Sequence, residues 1–429
     1  MMEAGFFEKP LETASQDELH GLQSERLRQV VRNVSASNDL FRARISERGV
    51  SPDEIRSADD VTKLPLMDKD LFRLAYPLKL CCVPVWQIVE MHMSSGSTGT
   101  PVVMPYTDSD LHQWGQCMAR CYCMAGAEKG DVAQITPSFG LFNGGFGMYH
   151  GAREAGLFIV PAGAGNTPRQ IRLANDFGAR ILTGVVSYGV RIMEVLQETG
   201  QKLDTVKIGI FGAETFSESM KNKLAAGLNA EVFDIYGMTE TGGVGTLGMD
   251  CKAHDGTHVW EDHYIVEILE AGSEKAVPDG QEGELVVTSL TRQALPVIRF
   301  RTGDLSRILS RKRCACGRTH ARIAPITGRV DDMLIFKGVN FFPKQVEQAL
   351  MQIPGVGSNY QILVDDTDGI REVTVHVEAE PQVTGYMVEK VLKETLGFSP
   401  KGDVFPIGKL ARQEGKAKRV FFASKGEIK

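Results

Sequence analysis

Lys207-Ile208-Gly209-Ile210-Phe211, a helical pattern over residues 216 to 227, and Glu231-Val232-Phe233-Asp234-Ile235-Tyr236-Gly237-Met238-Thr239-Glu240 follow one another along the chain. Two short runs rich in β-branched and aromatic residues, separated by an amphipathic stretch, read as strand, helix and strand. The second strand ends in a polar, glycine-containing loop, the place where α/β proteins hold their ligands. Upstream the same rhythm recurs in Ile88-Val89-Glu90-Met91, a helix near 108 to 126, Val132-Ala133-Gln134-Ile135, Leu157-Phe158-Ile159-Val160, a helix near 168 to 177 and Arg180-Ile181-Leu182-Thr183. Alternation of this kind, from 88 to 330, predicts an α/β fold with mixed and largely parallel sheets.

The flanks read differently. Residues 11 to 48 carry helical spacing in Leu19, Leu22, Leu27, Val30, Val31 and Val34, a helical lead-in closed by Ser51-Pro52-Asp53. After Glu284-Leu285-Val286-Val287-Thr288 the pattern is β-rich as far as Gly328-Arg329-Val330-Asp331-Asp332. Beyond it the spacing predicts a helix at 343 to 352, strands at 359 to 364 and 372 to 378, a helix at 383 to 396 and a basic tail, which together make a small α+β domain. The expected division is therefore 1–330 and 331–429.

The 429 residues are 42% hydrophobic and 24% charged, ordinary for a globular chain, and the net charge of −6 leaves no cationic excess for a nucleic-acid backbone. No apolar run approaches the roughly 20 residues that cross a bilayer. Met1-Met2-Glu3-Ala4-Gly5-Phe6 lacks a basic and then apolar leader, so neither a membrane nor export is expected and the chain is placed in the cytoplasm. Eight cysteines, at 81, 82, 117, 121, 123, 251, 314 and 316, are too sparse for a disulfide scaffold and read as reduced thiols or a metal site.

Three segments carry chemistry. In Met93-Ser94-Ser95-Gly96-Ser97-Thr98-Gly99-Thr100-Pro101, glycines let backbone N–H groups converge on phosphate oxygens and hydroxyls add donors without bulk. No Gly-Lys-Ser/Thr follows, so it is not a Walker A loop; taken alone it also reads as a solvated linker. In the segment 234 to 240, Tyr236 offers a flat face, Thr239 a donor to phosphate and Glu240 a hard oxygen ligand for Mg²⁺. In Phe300-Arg301-Thr302-Gly303-Asp304, the carboxylate suits two ribose hydroxyls, although an Asp after Gly is also an ordinary turn.

In order and spacing these segments resemble the adenylate-forming superfamily, and more closely its phenylacetate-CoA ligases. Leu64-Pro65-Leu66-Met67-Asp68-Lys69-Asp70 with Tyr76-Pro77, Phe139-Gly140-Leu141-Phe142-Asn143-Gly144-Gly145, His258-Val259-Trp260-Glu261-Asp262-His263, Cys316-Gly317-Arg318-Thr319, Lys337 to Pro343 and Glu414-Gly415-Lys416-Ala417 all look like that family. The resemblance implies a large adenylate-forming N-terminal domain, a small mobile C-terminal domain, and a ligase that uses ATP and Mg²⁺ to adenylate an aryl or arylacetic acid before passing the acyl group to coenzyme A. The nearest rival is the same first step followed by loading of a carrier protein. A homodimer is compatible with either.

The resemblance also implies roles. Residues 94 to 101, among them Ser94, Ser95, Gly96, Ser97, Thr98 and Gly99, would hold the β- and γ-phosphates. Gly212, Ala213, Glu214, Asp234, Tyr236 and Gly237 would line the adenine and acyl site, and Phe139, Phe142, Gly144 and Ile235 would wall the acid. Thr239 and Glu240 would meet the α-phosphate and magnesium, Asp304 the ribose, with Arg329 near it. Lys416 would be the catalytic lysine and Asp331 the hinge. The chain departs from the superfamily at Ser97, where Thr is common, at Val102, where many members place a Lys, and at Ser138, where the family is more aromatic.

Cys314-Ala315-Cys316-Gly317, with Cys251 upstream, supplies three thiols, and His254, His258 or His263 would complete a closed, structural zinc site. His258 is favoured, because His254 sits in a polar turn and His263 leads into a strand. Gly243-Val244-Gly245-Thr246-Leu247-Gly248 fits a dinucleotide fingerprint only on paper, since Met249-Asp250-Cys251 and not a helix follows.

Overall fold

The computed structural model describes residues 5–94, 100–336, 339–365, 372–411, 417–424 and 427–428. Contacts group the chain into two units, the first made of 1–184, 203–213 and 233–325 and the second of 185–202, 214–232 and 326–429.

The first unit is built on a sheet whose order runs Phe158–Val160, Val132–Ile135, Ile181–Val185, Ile208–Gly212, Glu231–Met238, Gly243–Asp250, Thr257–Val259, Arg322–Ile323 and Ile308–Ser310. Val132–Ile135 is parallel to both of its neighbours, whereas every pairing from Glu231–Met238 onward is antiparallel. Parallel strands need helical crossovers, and the predicted helices at Asp108–Ala125 and Thr167–Asp176 are present. The first of these opens on a capping box in which the Thr107 side chain accepts from Asp110 N and the Asp110 carboxylate accepts from Thr107 N. It lies against the helix Gly144–Glu154 and the strand Gly243–Asp250, and Trp114, Met118 and Tyr122 are buried there with Ile135, Ile210 and Phe233 in one core.

Tyr264–Leu269, Gly283–Ser289 and Phe300–Ser306 form a second, antiparallel sheet. The helical lead-in is two helices, Gln16–Ser37 and Asp39–Glu47, broken at Asn38, whose carboxamide oxygen accepts from Leu40 N and Phe41 N. The strand expected at 88 to 91 begins at Glu90 and runs to Met93, because Val85–Gln87 closes a 3-10 turn before it. Segment 243 to 248 is β-strand and no helix follows it, so the glycine fingerprint is void.

In the second unit five strands are ordered Lys401–Pro406, Glu372–Ala379, Val356–Asp365, Val420–Ser424 and Glu427–Ile428. The helices Pro343–Leu350 and Gly385–Leu396 close its core of Phe341, Val346, Ile362, Val375, Val377, Val388 and Leu392. This unit also holds Val186–Thr199, a helix absent from the sequence reading, packed on Glu218–Leu228. No described helix is long and apolar enough to cross a membrane.

Candidate functional site

The antiparallel strands Glu90–Met93 and Val103–Tyr106 form the stem of the Ser/Gly loop. Ser95, Gly96, Ser97, Thr98 and Gly99 lie outside the described residues. At the neck, Ser94 N donates to Val102 O at 3.0 Å and Val102 N donates to Ser94 Oγ at 2.9 Å, so Ser94 spends its hydroxyl on closing the loop. Met93 N donates to Leu141 O at 2.8 Å, which ties the stem to the segment that carries Phe139 and Phe142. Beneath it the buried His92 ring contacts Glu90 at 2.7 Å, and His150 reaches the same oxygen at 3.2 Å.

The long strand Glu231–Met238 delivers the next group of residues. Period-two alternation buries Ile235 and leaves Tyr236 half-buried, with its hydroxyl donating to Asp304 Oδ2 at 2.6 Å. Asp304 is oriented in turn, its own N–H donating to Thr302 Oγ1 at 3.0 Å. Gly237 is required where it stands, because a Cβ there would sit 2.3 Å from Gly243 O. Asp234 N donates to Asp250 Oδ1 at 2.8 Å.

The strand runs straight into a single 3-10 turn, Thr239–Thr241. Asn143 Nδ2 donates to Thr239 Oγ1 at 2.8 Å, and the buried Glu240 faces Lys69 Nζ at 3.8 Å. Val103–Tyr106, the strand that leaves the loop, packs on this turn. A phenol, two carboxylates, a threonine and a carboxamide thus stand near the neck of a loop rich in serine and glycine. Phe139 packs edge-on to Phe146 at 5.4 Å, Phe142 is 53% exposed, and Gly144 opens the helix Gly144–Glu154.

Gly212 ends its strand, and Ala213 adopts the left-handed region at φ 67°. In the second unit the half-buried Glu214 accepts from Ser187 N at 2.7 Å and Ser187 Oγ at 3.1 Å, and from the backbone N–H of Ala417. Burial pushes the Glu214 carboxyl up, against those donors. Lys416, next to Ala417 in the chain, lies outside the described residues. Arg329 Nε is 3.9 Å from Asp332, and Asp331 falls in the 3-10 turn Val330–Asp332.

Among the described residues, Cys251, His258, Cys314 and Cys316 bring their ligand atoms within 4.8 Å of one another. Cys251 Sγ is 3.7 Å from Cys314 Sγ, and Cys316 Sγ is 3.4 Å from His258 Nε2. Tetrahedral zinc with Zn–S near 2.3 Å and Zn–N near 2.0 Å sets edges of about 3.8 and 3.5 Å, so the donor set fits that ion. The other ring nitrogen, His258 Nδ1, faces His320 O at 3.3 Å, which fixes the ring. His254 instead contacts Asp250 at 2.7 Å and His263 contacts Thr291 at 2.9 Å.

Around these thiols the N-terminal segment is held by the loop that carries them. Arg318 Nε donates to the buried Glu12 at 2.8 Å and Arg318 Nη2 to Gly5 O at 2.7 Å, while His320 Nε2 contacts Leu11 O at 2.9 Å. The other Glu12 oxygen accepts from Phe7 N and Glu8 N, both at 2.8 Å. Glu8 and Asp262 share the fully buried Arg120.

The sequence reading named neither Asn143, Lys69 nor Ser187 as a site residue. Asn143 and Lys69 stood inside segments already singled out, so a question about which polar side chains those segments point inward would have found them. Ser187 has no sequence signal.

A family model described as AMP-binding enzyme matches residues 17–291, and one described as AMP-binding enzyme C-terminal domain matches 338–423. The chain is 37% identical over 426 residues to a phenylacetate-coenzyme A ligase of Aromatoleum evansii, covering 96% of each, and 35% identical over 426 residues to one of Escherichia coli, again covering 96% of each. Among solved structures, a 2-hydroxyisobutyryl-CoA ligase in complex with R3-HIB-AMP superposes with a TM-score of 0.91 over 99% of this chain and 93% of that one, at 24% identity.

Proposed function

This chain belongs to the AMP-binding enzymes, within their phenylacetate-CoA ligase branch, and from that premise we propose how its residues divide the work. It is an AMP-forming acid–thiol ligase. An arylacetic acid is adenylated at the expense of ATP, with release of pyrophosphate, and the acyl group then passes to coenzyme A with release of AMP. A free carboxylate is a poor acyl donor, and the mixed anhydride with AMP makes its carbonyl open to a thiol.

The observation that carries the site reading is the convergence of Tyr236, Asp304, Asn143, Thr239 and Glu240 beside the neck of the loop. In this reading Asp304 binds the ribose, Thr239 meets the α-phosphate and the backbone of 94–99 holds the β- and γ-phosphates. Glu240 would hold magnesium, which when bound neutralises phosphate charge. Lys416 bridges the acid's carboxylate and the α-phosphate, where negative charge grows in the transition state. The contact of Ala417 with Glu214 supports a tail that is held at Glu214. Phe139, Phe142, Gly144, Ala213, Ile235 and Tyr236 would wall the acid, and Asp331 would be the hinge between 1–330 and 331–429.

Cys251, His258, Cys314 and Cys316 would hold a structural zinc ion, leaving no ligand position for water. Cytoplasmic placement and a homodimer belong to the same proposal, the latter checked by light scattering.

The experiment is pyrophosphate and AMP release from MgATP across phenylacetate, indoleacetate, benzoate and hydroxylated benzoates, each with and without CoA. CoA-dependent AMP release with an arylacetic acid is expected. Adenylate formation that CoA does not accelerate would replace CoA by a carrier protein as the acceptor.

A further inference from the structure

The Ser/Gly loop has no cation anywhere between Met93 and Val102, although it is the segment read as the phosphate cradle. Backbone donors alone stabilise a triphosphate less than donors combined with a mobile positive charge. Apart from magnesium and from Lys416 at the α-phosphate, a side-chain cation for the β- and γ-phosphates would come from another part of the chain. Lys69 is placed for this. Its Nζ stands 3.8 Å from Glu240 Oε1, with the Lys69 side chain 35% exposed and that of Glu240 only 6%.

The position of Lys69 is set by backbone and not by chance of rotamer. Met67 N donates to Arg299 O at 3.0 Å, and Arg301 N donates to Met67 O at 2.8 Å, so the segment before Lys69 is zipped onto the strand that leads to Asp304. Asp68 accepts from Leu71 N at 3.1 Å and starts the short helix Lys69–Leu74. The neighbouring Arg73 pairs with Asp70 at 2.6 Å. Lys69 thus leaves a fixed backbone on a flexible four-carbon stem, beside both the acidic turn and the ribose-side strand.

We propose that Lys69 is a phosphate-binding residue that supplies to the triphosphate and to departing pyrophosphate the cation the loop lacks. With no nucleotide bound, its charge faces the buried Glu240 carboxylate at 3.8 Å. In the complex Glu240 would hold magnesium, and the Lys69 ammonium turns to the phosphate oxygens. A lysine suits this exchange, since its charge is compact and its stem loses no fixed fork geometry on changing partner. The interaction ends when pyrophosphate leaves, so Lys69 acts on the first half-reaction alone.

The inference rests on the adenylation reading, and its test is separable from it. Binding of MgATP and of magnesium pyrophosphate is measured by calorimetry, with no acid present, on the whole enzyme and on Lys69→Met and Lys69→Arg. Lys69→Met is expected to bind both ligands about tenfold to hundredfold more weakly, as loss of a charge-assisted contact does. Lys69→Arg is expected to recover most of the affinity. In turnover KM for MgATP should rise more than kcat falls, and conversion of a preformed acyl adenylate by CoA should proceed at the unmodified rate. Were Lys69 only a structural counter-charge, Lys69→Met would melt earlier yet bind MgATP normally, and that result overturns the proposal. An enzyme that binds MgATP but adenylates none of the aryl acids would count against the acid and leave the Lys69 comparison decisive.

Discussion

The carboxylate of Asp304 accepts a hydrogen bond from the Tyr236 phenol at 2.6 Å, the same kind of partner that a ribose hydroxyl would be. An ionised carboxylate has about four lone-pair directions, so the phenol that orients Asp304 takes one of several acceptor positions. Asp304→Ala should therefore raise KM for ATP about tenfold to hundredfold, as expected for a charged hydrogen bond to ligand, while Tyr236→Phe costs less because the acceptor survives. Steady-state kinetics in ATP separates the two. Lys416→Ala should slow ATP–pyrophosphate exchange by two to three orders of magnitude, the scale of losing one charge-stabilising group, with MgATP binding retained. Full exchange in that variant would remove Lys416 from the chemistry.

At the scale of elements, the helix Gly144–Glu154 decides how well the site is held, because Asn143 at its start reaches Thr239. Gly147 faces Trp114 so closely that a Cβ would lie 2.4 Å from the indole ring, and one on Gly151 would lie 2.2 Å from Met118 Cβ. Gly147→Ala must push the helix off its partner, and a loss of about 1 to 3 kcal/mol in urea unfolding is expected. The same glycines explain why the sequence reading places no helix here. Four glycines in eleven residues look like loop, and only the facing Trp114 and Met118, far away in sequence, give them a reason to be helical. By contrast Asp108–Ala125 carries its capping box in the sequence and was legible to within a residue. Val186–Thr199 escaped because Val186, Val190, Ile192 and Val195 mimic strand composition. Motif residues such as Tyr236 and Asp304 were legible, but their pairing was not, since it joins elements 68 residues apart.

The hairpin stem adds a dependence on pH. Burial works to raise the Glu90 carboxyl, but hydrogen bonds from His150 and then His92 outweigh it and hold it at about 2. A depressed carboxylate contributes stability that is present above its ordinary value near 4.5 and is lost as pH falls toward 2. Glu90→Gln should consequently flatten the loss of thermal stability between those limits, measured by melting at successive pH values.

For the whole molecule, the cysteine and histidine cluster matters through the length of chain it encloses. Cys251 and Cys314 are 63 residues apart, and closing such a loop covalently removes about 4 kcal/mol of chain entropy from the unfolded state, an upper bound for a metal link. Chelation, or Cys251→Ser, should release about one zinc per chain by mass spectrometry. It should also lower Tm by about 5 °C and leave adenylation at lower temperature unchanged. Loss of adenylation before unfolding would mean that the metal acts on the reaction.

The clasp between Glu12 and Arg318 also imposes an order in time. These two residues are separated by 306 positions, so at 5–20 residues per second a ribosome needs roughly 15 to 60 s to supply the arginine after the glutamate has emerged. Through that interval a carboxylate destined for full burial has no counter-charge, and the segment that bears it cannot settle. The clasp must therefore wait for its second half, and any product that stops between these two residues keeps Glu12 without the arginine that fastens the segment around it.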